Sequence, residues 1–81
     1  MSVVTVHLFA SYADMLGASQ INVSLPPRAR VADVVAAVRS LPGASSLPLR
    51  PRVAVNHSFA EPDVAVDAGD EIALIPPVAG G

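Results

Sequence analysis

The sequence predicts an α+β domain, a mixed sheet packed against one main helix. Two alternating β-branched segments near the start, one segment of helical periodicity in the middle, and an apolar alternating segment near the end point to it. In VVTVHLF (3–9), Val4, Val6 and Leu8 alternate with Val3, Thr5, His7 and Phe9, the pattern of a half-buried strand. ASYADMLGAS has room for no more than two helical turns, with Gly17 placed to end them. INVSL (21–25) alternates again up to Pro26 and Pro27, so it pairs with the first strand through that short helix.

From Val31 onward the apolar residues Val31, Val34, Val35, Val38 and Leu41 fall on one helix face. Arg30 stands at the cap position, where Ser, Thr or Asp is preferred, while Asp33 suits the positive end of the helix dipole. LPGASSLPLRP (41–51) carries too many prolines and small residues for regular structure and reads as a surface loop. RVAVN (52–56) reads as a short strand closed by a polar turn at Asn56, His57 and Ser58, and an irregular stretch follows. DAGDE is a turn signal, and EIALI (71–75) is the last strand, ended by Pro76 and Pro77. The order β, short helix, β, helix, β, β gives a sheet covered on one face, with a domain at 1–76 and an extended tail at 77–81.

At 81 residues the chain is one small domain, able to bury roughly 60–65% of its unfolded surface without staples. It has no cysteine, which excludes disulfides, a thiolate nucleophile and cysteine-bound metal, and a cytoplasmic address is the expectation. The opening residues lack the basic start of a signal peptide. Their apolar run is broken by His7, Ser11 and Asp14, far short of a membrane span. A net charge of −2 with no lysine argues against a nucleic-acid backbone as partner. All the arginines lie between positions 28 and 52, and Glu61, Asp63, Asp67, Asp70 and Glu71 crowd the segment before the tail. Such acids form a solvated face or a set of turns, or steer a basic partner toward the tail.

The body of the domain shows no catalytic constellation. His7 and His57 have no second ligand at a metal spacing and read as surface histidines. Asp70 and Glu71 are neighbours that point to opposite faces, the loop serines lack a base, and no glycine-rich phosphate loop is present. The expectation is a protein with no permanently bound cofactor, no metal and no active site of its own.

The tail is different. Pro76 and Pro77 fix two φ angles and cannot donate to a sheet, so they turn the chain out of the last strand as a stiff stalk. Fully extended, 76–81 reaches about 20 Å, enough to enter another protein's active site. Val78 and Ala79 are small, and Gly80 and Gly81 carry no side chain, which suits a narrow channel and leaves the terminal carboxyl group unhindered. The alternative is a frayed end. If Ile72 and Leu74 face the core, then Ala73 and Ile75 face outward, as does Phe9. Phe9 and Ile75, joined by Phe59, would then form an apolar patch at the root of the tail, either a partner interface or the cover of a small satellite core.

VHLFASYADMLG, VAVN and GDEIALIPPVAGG, in that order and covering most of the chain, resemble the molybdopterin synthase small subunit (MoaD) and ThiS family of ubiquitin-like sulfur carriers. The ending PPVAGG after GDE is the specific part. The resemblance implies a β-grasp fold whose Gly81 is adenylated by an ATP-dependent activating enzyme and then converted, with a sulfur donor protein, to a thiocarboxylate. The tail (Pro77, Val78, Ala79, Gly80) would then enter the large subunit of molybdopterin synthase, a MoaE-like partner. There the sulfur converts cyclic pyranopterin monophosphate to molybdopterin in molybdenum cofactor biosynthesis. Arg30 and Ala13 depart from that family's pattern, as does the proline-rich loop. Other destinations stay open: a ThiS-like carrier for another pathway, a ubiquitin-like modifier conjugated through Gly81, or a non-covalent interaction module.

Overall fold

A computed structural model of the chain describes residues 2–77. The expectations for Val78, Ala79, Gly80 and Gly81 lie outside the described residues. The elements are β1 (Ser2–Leu8), α1 (Ala10–Leu16), β2 (Gln20–Leu25), α2 (Val31–Arg39), β3 (Arg52–Val55), β4 (Ser58–Ala60) and β5 (Glu71–Ile75). They build one five-stranded sheet in the order β2-β1-β5-β3-β4. The pairs β1/β2, β3/β5 and β3/β4 are antiparallel and the central pair β1/β5 is parallel.

The alternation of β1 holds. Val4, Val6 and Leu8 are buried and Val3 and Phe9 are exposed, because successive strand residues point to opposite faces. Opposite them in the centre, Ile72 and Leu74 of β5 are fully buried. The core lies between this inner face and α2, whose Val31, Val34, Val35 and Val38 form the buried stripe. Leu41 lies two residues past the helix end and is half-buried. α1 stops at Gly17, which takes φ 71° and closes the helix with its N–H on the Ala13 carbonyl at 2.8 Å.

Arg30 does serve as the N-cap of α2, and the structure shows how the helix start manages without a capping hydroxyl. The Asp33 carboxylate accepts the Arg30 N–H at 2.8 Å. The N–H groups of Val31 and Ala32 donate to the carbonyls of Val64 and Pro62, both at 2.9 Å. Backbone from the segment after β4 thus satisfies donors that a cap side chain would otherwise take. The same segment continues with the Val66 N–H on the Ala29 carbonyl and buries Val66 in the core.

Two sequence expectations need correction. The stretch after Asn56 is not irregular from its start: Asn56 and His57 take φ of 51° and 72°, a two-residue turn with both centres left-handed, and the chain returns as β4. Three residues are too few to show a period, so β4 and the position of Phe59 on it were invisible to alternation. The loop 41–51 does cross the surface, with Leu49 77% exposed, but it also buries Ala44 and Leu47. Arg39 donates from its guanidinium to the Leu47 carbonyl and ties the loop to α2.

Gly43 in that loop has φ 88°, and a Cβ there would meet the Met15 carbonyl oxygen at 3.0 Å. Gly43→Ala is therefore expected to destabilise by about 2 kcal/mol, read as a lowered thermal midpoint. An unchanged midpoint would show that the loop can take another path.

Candidate functional site

The candidate site is the end of the sheet where β5 runs into Pro76 and Pro77. Its floor follows from the register. Leu8 pairs with Leu74, so Phe9, still extended at φ −121°, continues beside Ile75. On the other flank Arg52 pairs with Ile75, Ala54 with Ala73, and Phe59 with Ala54. Cross-strand partners share a face. Ile75, Arg52, Ala73, Ala54 and Phe59 therefore lie on the outer face with Phe9, opposite the face that packs on α2.

Phe9 is 50% and Phe59 is 68% exposed, while Ile75 and Pro76 are half-buried and Pro77 is exposed. The structure places Phe9 and Ile75 side by side. Phe59 stands two strands away from β5, and Arg52 fills the interval with its guanidinium carbon 5.0 Å from the Phe59 ring centre. That distance is a cation–π contact, which lays the flat guanidinium on the sheet. The patch is thus apolar at both ends and cationic between, a feature the alternation argument missed. The signal was in the sequence: Arg50-Pro51-Arg52 enters β3 with one arginine on each side of a proline.

Beside this face a cleft of about 530 Å³ opens at the root of the tail, lined by Tyr12, Arg50, Arg52 and Ile75 among four prolines that include Pro76 and Pro77. Burial raises the pKa of the Tyr12 phenol, so it stays a neutral hydroxyl at physiological pH.

The acidic end is occupied with turn chemistry. Asp70 accepts the Asp67 N–H at 2.8 Å and the Asn56 side-chain amide at 3.0 Å, and Asn56 in turn accepts the Glu71 N–H at 2.9 Å. His57 lies 3.3 Å from Glu71, both largely exposed. His7 is on the outer face between Gln20 and Ala73, away from His57. Among the described residues no three His, Cys, Asp or Glu side chains gather as a metal site. No helix among them is long and apolar enough to cross a membrane.

The sheet order, the single helix stripe and the exit of the chain from a central strand define a ubiquitin-like β-grasp domain of the α+β class. Residues 6–81 match the ThiS family, and the chain belongs to that family, the ThiS/MoaD-like ubiquitin-fold sulfur carriers. Among solved structures it is similar to SAMP1 from Haloferax volcanii, with 31% identity and a TM-score of 0.85 over 99% of this chain and 100% of that one. It is also similar to the putative molybdopterin converting factor subunit 1 from Pyrococcus furiosus, with 22% identity and a TM-score of 0.82 over 96% of this chain and 100% of that one. A protein of the complex of subunits 1 and 2 of the molybdopterin-converting factor from Helicobacter pylori shares 20% identity. Its TM-score is 0.71 over 98% of this chain and 99% of that one.

Proposed function

We propose that the chain is the small subunit and sulfur donor of a molybdopterin synthase, carrying sulfur as a thiocarboxylate on Gly81. The observation that carries this reading is the outward face at the root of the tail: Phe9 and Ile75 side by side, next to a proline pair that leads to Gly80 and Gly81. A central strand gives that exit a fixed position, held by β1 on one side and β3 on the other. An apolar patch there gives a partner a place to seat while the tail enters it. The structural likeness to a subunit solved with its partner supports a partner protein of the large-subunit kind.

The chemistry follows from the acyl group. A carboxylate is a poor electrophile, so an ATP-dependent activating enzyme first turns one of its oxygens into a leaving group as the adenylate. A sulfur donor protein then supplies the sulfur that displaces AMP. The thiocarboxylate is a soft nucleophile that loses its sulfur to water unless the tail is enclosed, and burial in the large subunit encloses it while cyclic pyranopterin monophosphate is converted to molybdopterin. The direct test is the intact mass of the chain incubated with its activating enzyme, ATP and a sulfur source. One oxygen-to-sulfur exchange is expected. An unchanged mass in the presence of an active enzyme would end the carrier reading.

One observation favours a second reading. The likeness to SAMP1 exceeds that to either molybdopterin-converting protein in identity, and that protein is named a small archaeal modifier. As a modifier, the chain would form isopeptide bonds through Gly81 with lysines of other proteins, since it has no lysine of its own. Adducts of higher mass that disappear when Gly81 is removed would select this reading.

Ile75→Arg is expected to leave the domain folded and to weaken binding to the large subunit by about 2 kcal/mol, near thirtyfold, because it removes the apolar side chain that extends the Phe9 end of the patch and sets a second guanidinium against that of Arg52. Calorimetric titration checks it. Unaltered affinity would take the β1/β5 end out of the interface.

A further inference from the structure

The cleft at the tail root holds two arginines and a phenol, and no carboxylate lines it. Among the described residues the one ion pair is His57 with Glu71, so neither Arg50 nor Arg52 meets a described acid. Tyr12 is only 3% exposed, its hydroxyl makes no hydrogen bond to another described residue, and no described side-chain polar atom is both buried and unpartnered, so that hydroxyl opens to solvent at the cleft. In a chain of net charge −2, two arginines with no acid partner among the described residues line one cleft with a phenol whose hydroxyl is open to solvent, and together they make it donor-rich. Its remaining walls are Pro48, Pro51, Pro76, Pro77 and Ile75, none of which offers a side-chain acceptor.

We propose that this cleft is a carboxylate socket that receives an aspartate or glutamate side chain of the protein docking on the tail face. This rests on the reading of that face as a docking surface, with which the socket is continuous: Arg52 and Ile75 belong to both. A planar carboxylate matches the fork of a guanidinium, and a partner seated over the prolines would take water from the pair, which strengthens it. A phosphate carried on Gly81 during activation fits the place less well. The four residues 78–81, when extended, put the acyl group about 13 Å beyond Pro77. The socket therefore sets the orientation in which the partner seats before the tail reaches its site. The neighbouring groove that also uses Arg50 and Arg52 contributes Glu61, and its negative charge disfavours a second acid there.

The test is a nuclear magnetic resonance titration of the labelled full chain with a capped tri-glutamate peptide, with capped tri-glutamine and inorganic phosphate as parallel probes. Tri-glutamate is expected to move the amide signals of Tyr12, Arg50, Arg52 and Ile75 saturably, and tri-glutamine is not. Arg50→Gln with Arg52→Gln should weaken the response roughly tenfold or more, and Tyr12→Phe, which keeps the packed ring, severalfold. Shifts spread equally over Arg28, Arg30 and Arg39, or a response indifferent to these variants, would overturn the socket. Tighter binding of phosphate at the same signals would overturn its assignment to a protein carboxylate. Because the titration needs neither sulfur loading nor the large subunit, a silent cleft and an unloaded Gly81 are separate failures.

Discussion

Val34→Asp is expected to leave the chain without a cooperative thermal transition at any temperature above the cold. Val34 is fully buried on the stripe of α2, in one core cluster with Val6, Leu8, Ile72 and Leu74, and no buried polar or charged residue stands among the described residues there. A carboxylate in that place finds no donor, and leaving a charge unpaired in an apolar interior costs several kcal/mol even when the group takes up a proton instead. An 81-residue domain has in all roughly 4–12 kcal/mol to lose, at about 0.05–0.15 kcal/mol per residue. Val34→Ala is the control, since it removes volume and adds no charge. It should cost about 2 kcal/mol, lower the midpoint by roughly 8–16 °C and keep the transition cooperative. A Val34→Asp protein that melts beside the alanine variant would show that α2 can turn its stripe to water. Val35 is the less decisive position, because at 8% exposure it also borders the open groove shared with Leu49.

What the sequence made legible is what has a period. β1, β2 and β5 are long enough to show alternation, and the stripe of α2 repeats through nine residues. Alternation alone placed Phe9 and Ile75 outward and Ile72 and Leu74 inward, and the register confirms both. Features without a period were not legible. β4 has three residues, and its existence depends on Asn56 and His57 both taking positive φ, which both residue types tolerate better than most but without the Asn-Gly or Asp-Gly pair that marks a two-residue hairpin in a sequence. The capping of α2 by the carbonyls of Pro62 and Val64 joins segments thirty residues apart and has no local signature. The burial of Ala44 and Leu47 within a proline-rich loop is likewise a product of packing, since the same composition serves loops that bury nothing. At the candidate site, the apolar residues came from alternation. The cationic part did not, because the closeness of Arg50, Arg52 and Tyr12 to the tail root depends on how loop 41–51 crosses the sheet end.

Deleting Gly81, or adding one alanine after it, is expected to abolish sulfur transfer with little change in the thermal midpoint. An extended chain advances about 3.3 Å per residue, so either change moves the reacting carboxyl group by several times the 1 Å misplacement that can already cost a hundredfold in rate. The base of the tail has little slack with which to restore the reach. Pro76 and Pro77 each fix one backbone angle, and Ile75 before them is held on both sides, by pairing with Arg52 on β3 and by the β1/β5 ladder just behind it. Stability should not follow, because the buried core of the described residues is built from positions between Val4 and Leu74. Changes away from packed features usually stay within about 0.5 kcal/mol. Intact mass after incubation with the activating enzyme reads the loading step, and product formation with the large subunit reads the transfer. The added-alanine chain separates two causes: a loss of loading places the length requirement in the activating enzyme, whereas loading without transfer places it in the synthase channel. A chain ending at Gly80 that is both thiocarboxylated and turned over at the parent rate would refute the fixed reach, and with it the role assigned to Gly81.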